Sequence, residues 1–207
     1  MPSKLSKGTE WTVGYDPHPL ELSVRIMTIL DEIQLEAWHI LTTVYTHQRM
    51  MESVPRSSTR YEMADKFVAL NALSEMLIIR IARLADTRPE VRSVKMLLKR
   101  ATFTAPVADV EQAAQAFMLH AKPVVKIRHE QVAHMKMGVL SSYEPQEIPH
   151  DAIKATEALI HLIDVARQKI CDYSYTVGSM EAVIDLRASL AAGAMIPRQG
   201  QMAKDPS

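Results

Sequence analysis

Cysteine, glycine and aromatic residues are scarce in this chain of 207 residues, and each shortage narrows the possible structures. The one cysteine, Cys171, cannot form a disulfide within the chain and makes a cysteine-ligated zinc site implausible, which predicts a reducing, cytoplasmic environment. Six glycines and three phenylalanines leave the composition poor in turn and strand formers, whereas Ala, Leu, Met, Glu, Lys and Arg are frequent. The composition therefore predicts an all-α protein.

The chain also lacks a net charge and a long hydrophobic run. Twenty-four basic residues balance twenty-four acidic ones, so any contact with RNA has to come from a local basic patch rather than from the whole chain. No stretch approaches the roughly 20 uncharged apolar residues of a membrane span, and no apolar run follows the first lysines. We expect a soluble protein without a membrane partner.

Apolar residues recur at intervals of three and four through most of the chain, which is typical of amphipathic helices. We predict an up-and-down helical bundle with short helices inserted between the long ones. Pro123 either opens a new helix or kinks a continuing one. The predicted helices span about 20–54, 59–86, 91–102, 110–120, 124–137 and 151–173, with a possible restart after Gly178.

The two ends of the chain carry Lys, Ser, Gly and Pro with little periodicity. This pattern predicts a flexible N-terminus over 1–17 and a flexible tail over 193–207. The region between them, 18–192, is predicted to form a single helical domain, since 47% of the residues are hydrophobic and can supply one core.

One short run combines the residue types that acid/base and phosphate chemistry need: Arg128, His129 and, five positions later, His134. On a helix turning 100° per residue, Arg128 shares a stripe with Val125 and Val132, where the pattern calls for an apolar side chain. A guanidinium cannot lose its charge. Arg128 therefore needs a carboxylate partner, an oxyanion ligand or a cleft that admits water.

His134 lies roughly 120° around such a helix and about 9 Å along its axis from Arg128. The two groups can meet if the arginine reaches along a groove, or if a two-fold partner supplies one of them. Paired histidines and arginines suffice for cleavage of a phosphodiester by a ribose 2′-hydroxyl without a metal or other cofactor, and His129 could orient the arginine or bind a phosphate. The alternative is an Arg128 paired with a glutamate of a neighbouring helix and a half-exposed His134.

Arg128, His129, Ala133 and His134 resemble the signature of the HEPN superfamily, an arginine, a polar residue and a few residues ending in histidine, commonly preceded by alanine. Upstream, 74–87 and 92–98 are similar to a stretch of the abortive-infection AbiU-like branch. The resemblance implies a helical bundle that dimerises around the motif helix and, in active members, a metal-independent endoribonuclease used as a toxin or in phage defence. It implies that Arg128 and His134 are catalytic, that His129 is the polar second position, and that RNA and an antitoxin protein are partners.

Two other interpretations stay open. A non-catalytic helical module of the same fold would use the motif only to bind a nucleotide or a protein. A metal-binding bundle would use Glu36 and His39, which have the Glu-x-x-His spacing of di-iron proteins, although this spacing occurs once and lacks its second half. Near the end of the second helix, a local ion pair between Arg83 and Asp86 is expected. His39 and His47 are expected to be exposed or at the edge of the bundle.

Overall fold

The computed structural model describes residues 27–88, 90–133, 144–177, 182–193 and 196. Within these residues the chain is mostly helical, which confirms the all-α prediction, and one small β-hairpin accompanies the helices. In chain order the elements are α1 (Ile29–Ser53), a 3₁₀ turn (Val54–Arg56), α2 (Arg60–Leu84), α3 (Val94–Arg100), α4 (Val107–Ile127), a π-helix (Arg128–Ala133), α5 (His150–Arg167), β1 (Ser174–Val177), β2 (Ala182–Asp185) and α6 (Leu186–Ala192).

Side-chain caps fix where three of the helices begin. Thr28 and Asp31 form a capping box at the start of α1, in which each side chain accepts from the other residue's backbone N–H. Thr59 caps α2 and Ser93 caps α3 in the same way, through hydroxyl oxygens that accept from Glu62 and Met96. The predicted start of α2 at Thr59 is thus accurate, whereas α1 begins at Ile29, later than its apolar periodicity predicted.

The hydrophobic core lies where α4 packs against α5 and α2, with α1 covering α2, α5 and α6. Small residues of α4, Ala113, Ala114 and Ala121, are buried there beside the fully buried Phe117, so the backbones of α4 and α5 can approach closely. Buried residues from Leu30 to Leu190 belong to one cluster. The end of α4 is therefore held by packing on two neighbouring helices.

Helix α4 passes through Pro123 without ending, which is the second of the two alternatives left open by the sequence. The predicted helices 110–120 and 124–137 are therefore one helix as far as Ile127, followed by the π-helix. Proline lacks the N–H that would bind the carbonyl four residues earlier, but it does not stop a helix whose buried face is packed on both sides of it, here by Ala121 and Val124.

The prediction that the last long helix reaches Tyr173 is wrong. Helix α5 ends at Arg167, where Gln168 adopts a left-handed conformation with φ of 52°. β1 and β2 follow as an antiparallel hairpin, and the Trp38 indole N–H of α1 donates to the Ser174 carbonyl at 2.8 Å. The β-branched and aromatic residues of this short segment favour a strand once Trp38 offers a donor and Tyr45 an aromatic contact to Tyr175.

The expectation for His47 is also wrong, because this side chain is buried with 3% exposure. Its Nε2–H donates to the Gln146 carbonyl at 2.8 Å, which ties α1 to the segment before α5. Burial lowers the pKa of His47, so the neutral ring is favoured. His39 is half-buried, in agreement with an edge position.

The segments predicted to be flexible, 1–17 and 193–207, lie outside the described residues except for Gly193 and Ile196. The assignment of 18–192 to a single domain stays a prediction. In the described part of the chain, no helix is both long and apolar enough to cross a membrane.

The packing of α4 on α5 predicts that alanine substitution of two leucines lowers the free energy of unfolding by very different amounts. Leu159→Ala in α5 removes a fully buried side chain, and we expect it to lower the free energy of unfolding by about 3 kcal/mol. Leu119→Ala in α4 makes the same chemical change at a side chain that is 68% exposed, so its effect should stay within about 0.5 kcal/mol. Urea unfolding of both variants measures the difference, and equal losses would contradict the packing.

Candidate functional site

Arg128 lies at the point where α4 changes to a π-helix. Its side chain is half-buried, as expected for a charged residue on the apolar side of an amphipathic helix. Among the described residues, Arg128 has neither a hydrogen-bond nor an ion-pair partner for its side chain. No glutamate of a described helix neutralises Arg128, which was the predicted alternative.

The π-helix changes the geometry that was assumed in placing Arg128 on one stripe with Val125 and Val132. Backbone hydrogen bonds of a π-helix join residues five apart, so the 100° rotation per residue does not continue beyond Arg128. The predicted stripe of Val125, Arg128 and Val132 therefore does not extend into this segment. Single π-turns occur frequently at functional sites, where they re-aim side chains that a regular helix would space evenly.

The other two predicted site residues have different outcomes. His129 lies in the π-helix with an exposed side chain, next to Arg128 in sequence. His134 lies outside the described residues, so the pairing of Arg128 with His134 stays a prediction.

The end of α2 lies close to Arg128, since α2 packs against the π-helix. Asp86, just after α2, has its pKa lowered to about 2, chiefly by hydrogen bonds from Arg88 and to a smaller extent by the charge of Arg128. Two segments that the sequence analysis singled out, 74–87 and the Arg128 motif, thus lie close together.

The predicted ion pair between Arg83 and Asp86 does not form. Asp86 is bound by Arg88 instead, whose Nη2 lies 2.7 Å from one carboxylate oxygen and whose Nε contacts both oxygens at 3.1 Å. Arg88 reaches Asp86 from the loop after the helix, where the chain turns back, and this fork-like geometry satisfies the carboxylate better than a residue one turn earlier on α2. Arg83 is left exposed, without an ion pair to any described residue.

A crevice of about 340 Å³ opens beside this end of α2, and sequence reasoning did not find it. Arg80 Nη1 donates to Glu36 of α1 at 2.6 Å, and Arg92 Nε lies 2.9 Å from Glu32, also of α1. Arg83 and Glu90 complete its charged lining. The sequence signal was weak, because arginines at 80, 83 and 92 meet only once the loop after α2 has folded back.

The crevice also decides against the Glu36 and His39 metal site. Glu36 is engaged by Arg80, and no group of three or more His, Cys, Asp or Glu residues that could hold a metal occurs in the described ranges. A larger, open cavity of about 530 Å³ lies between α1 and the end of α5. Its guanidinium, Arg167, is already paired with Asp31 at 2.5 Å and with Gln34 at 3.0 Å, so it serves to join two helices.

Comparison of the chain with protein-family models, with curated proteins and with solved structures finds no match in any of the three.

The charges around Asp86 predict that removing Arg88 raises the Asp86 pKa more than removing Arg128 does. The Asp86 pKa of about 2 should rise markedly in Arg88→Ala, which removes the hydrogen bonds, and slightly in Arg128→Ala, which removes a charge without a hydrogen bond. Carboxyl-carbon NMR titration measures both shifts. Arg60→Ala, at the opposite end of α2, is the control and should leave the Asp86 pKa unchanged. An Asp86 pKa that is the same in Arg128→Ala and in the wild type would contradict the proximity of Arg128 to the end of α2.

Proposed function

We propose that this protein is a HEPN-like, metal-independent endoribonuclease that acts in the cytoplasm as a homodimer, as a toxin or a component of phage defence. The observation that carries the proposal is the guanidinium of Arg128, which has no ion pair within the described ranges and is held at a π-turn beside the arginine-rich end of α2. A half-buried cation without a carboxylate partner is suited to binding an oxyanion.

The chemistry follows from what the cleavage of RNA requires. A base takes the proton of the ribose 2′-hydroxyl, the 2′-oxygen bonds to phosphorus, and the bond from phosphorus to the 5′-oxygen breaks as an acid protonates that oxygen. His134 would serve as one of these groups and His134 of the partner subunit as the other, because imidazole titrates near neutral pH. Arg128 would stabilise the negative charge that develops on the phosphoryl oxygens, and His129 would orient the phosphate.

The proposal predicts cleavage of single-stranded RNA in the presence of EDTA, with a 2′,3′-cyclic phosphate and a 5′-hydroxyl as products. Arg128→Ala and His134→Ala should each lower the rate by about 100-fold or more, since each removes a group that acts in the transition state. Arg60→Ala removes an exposed arginine remote from the motif and should cleave like the wild type. Product ends are identified by gel mobility after treatment with a phosphatase that opens cyclic phosphates.

Two results would contradict the nuclease. One is intact RNA across about pH 5.5 to 8, the range in which histidine changes its charge. The other is a His134→Ala variant that cleaves as well as the wild type. RNA binding without cleavage, weakened by Arg128→Ala, would support the non-catalytic binding module instead.

A further inference from the structure

The crevice beside the end of α2 has an unusual lining for its size. Three guanidinium groups, those of Arg80, Arg83 and Arg92, surround about 340 Å³ together with the carboxylates of Glu36 and Glu90. Leu84 and Val91 supply its apolar wall, and none of its described lining residues is aromatic. The crevice can therefore bind a small charged group, but it offers no surface on which a nucleobase could stack.

The ion pairs of these arginines leave some guanidinium N–H donors without a carboxylate partner among the described residues. Arg80 donates to Glu36 through Nη1, while its Nε is buried without a hydrogen-bond partner. Arg92 is paired through Nε with Glu32, which lies outside the crevice lining. Arg83 has no ion pair to any residue the structure describes. A guanidinium has five N–H donors in a fixed fork, so the ion pairs use only some donors of Arg80 and Arg92, and Arg83 is the group most able to bind an oxyanion.

The ion pairs also fix where the guanidinium groups lie. Glu32 and Glu36 are four residues apart and therefore share one face of α1. Each forms an ion pair with one arginine of the crevice. Positioned guanidinium groups bind phosphate more tightly than mobile ones, because less side-chain freedom is lost when the ligand arrives. The guanidinium groups of Arg80 and Arg92 are thus positioned before a ligand binds, whereas no ion pair to a described residue holds Arg83.

The crevice and Arg128 both lie near the end of α2, because α2 packs against the π-helix that begins at Arg128. Arg83 lies in the last turn of this helix, and Asp86, three residues later, carries the electrostatic influence of Arg128. An extended nucleic acid strand that presents one phosphate to Arg128 would pass this end of α2. The crevice arginines and Arg128 are therefore associated with the same end of one helix.

We propose that the crevice formed by Arg80, Arg83 and Arg92 binds a second phosphate of the RNA chain, next to the phosphate held by Arg128. This inference rests on the proposed function, because it assumes that the ligand at Arg128 is RNA. Arg83 would be the principal phosphate contact, since its charge is not already compensated. Glu90, on the crevice wall, would oppose the phosphate and limit how tightly RNA is held.

The test measures binding of a single-stranded RNA hexanucleotide at several salt concentrations, in the His134→Ala variant so that the RNA stays intact. Adding Arg83→Ala should weaken binding about tenfold at low salt and lower the slope of log K against log salt by about 0.7, the value for one phosphate contact on a single strand. Adding Glu90→Gln should strengthen binding. Arg60→Ala, at the other end of α2, is the matched control and should change neither affinity nor slope.

Chain length provides a second readout, with His134 intact. A dinucleoside monophosphate carries only the scissile phosphate, so Arg83→Ala should leave its cleavage unchanged while raising KM, rather than lowering kcat, for the hexanucleotide. Equal effects on both substrates would assign Arg83 a structural role and overturn the inference. Thermal unfolding of Arg83→Ala should match that of the wild type, because the side chain is exposed and has no ion pair within the described chain.

The outcomes separate this inference from the proposed function. If the wild type cleaves RNA but Arg83→Ala behaves like Arg60→Ala, the second phosphate site is refuted and the nuclease stands. If RNA binds with the expected dependence on Arg83 but is never cleaved, the crevice stands and catalysis is refuted. If RNA neither binds nor reacts, both are refuted.

Discussion

The packing of α4 against α5 and α2 determines where the charged groups of the site can lie. Alanines at 113, 114 and 121 allow the backbones to approach, and the fully buried Phe117 fixes the rotation of α4 about its axis. With that rotation fixed, the first residue beyond the helix is an arginine facing the end of α2. The position of Arg128 is thus a consequence of apolar packing about two to four turns earlier, and no ion pair to a described residue holds it.

The Asp86 carboxylate near Arg128 is bound by Arg88, and Arg128 has no ion pair to a residue that the structure describes. A carboxylate near a half-buried guanidinium would ordinarily form a salt bridge, since desolvation of an unpaired charge is costly. Here Arg88 has occupied both oxygens of Asp86 with two nitrogens, and such fork-like, charge-assisted bonds are stronger than a single contact. Because Arg128 stays partly exposed, water can solvate its free face, so the arrangement is tolerable without a ligand and favourable with an oxyanion.

The sequence predicted the features that depend on local periodicity and caps. The extent of α2, with Thr59 as its cap, follows from the sequence because a hydroxyl residue precedes a regular apolar repeat. The hairpin after α5 could not be predicted in this way, since its strands are only four residues long and depend on Trp38, which is 136 positions away. The same limit applies to Asp86: its nearest helical arginine, Arg83, was the obvious partner, and only the fold of the following loop brings Arg88 to it.

In the candidate site, too, the residues could be selected from the sequence but their arrangement could not. Arg128 and the 74–87 segment could be selected from the sequence by their residue types and spacing, but their proximity depends on the packing of α2 against the π-helix. The π-helix itself follows from no residue pattern used here, and it changes which side chains share a face after Arg128.

A neutral chain can still offer a cationic edge, and the placement of the acidic residues explains how. Glu32 and Glu36 of α1 are paired with Arg92 and Arg80, whereas exposed Arg83 has no ion pair to a residue that the structure describes. Coulomb attraction at such short range outweighs the weaker field of distant charges, which salt screens within about 8 Å at physiological ionic strength. An approaching phosphate would therefore respond to the local guanidinium groups rather than to the balanced charge of the whole protein.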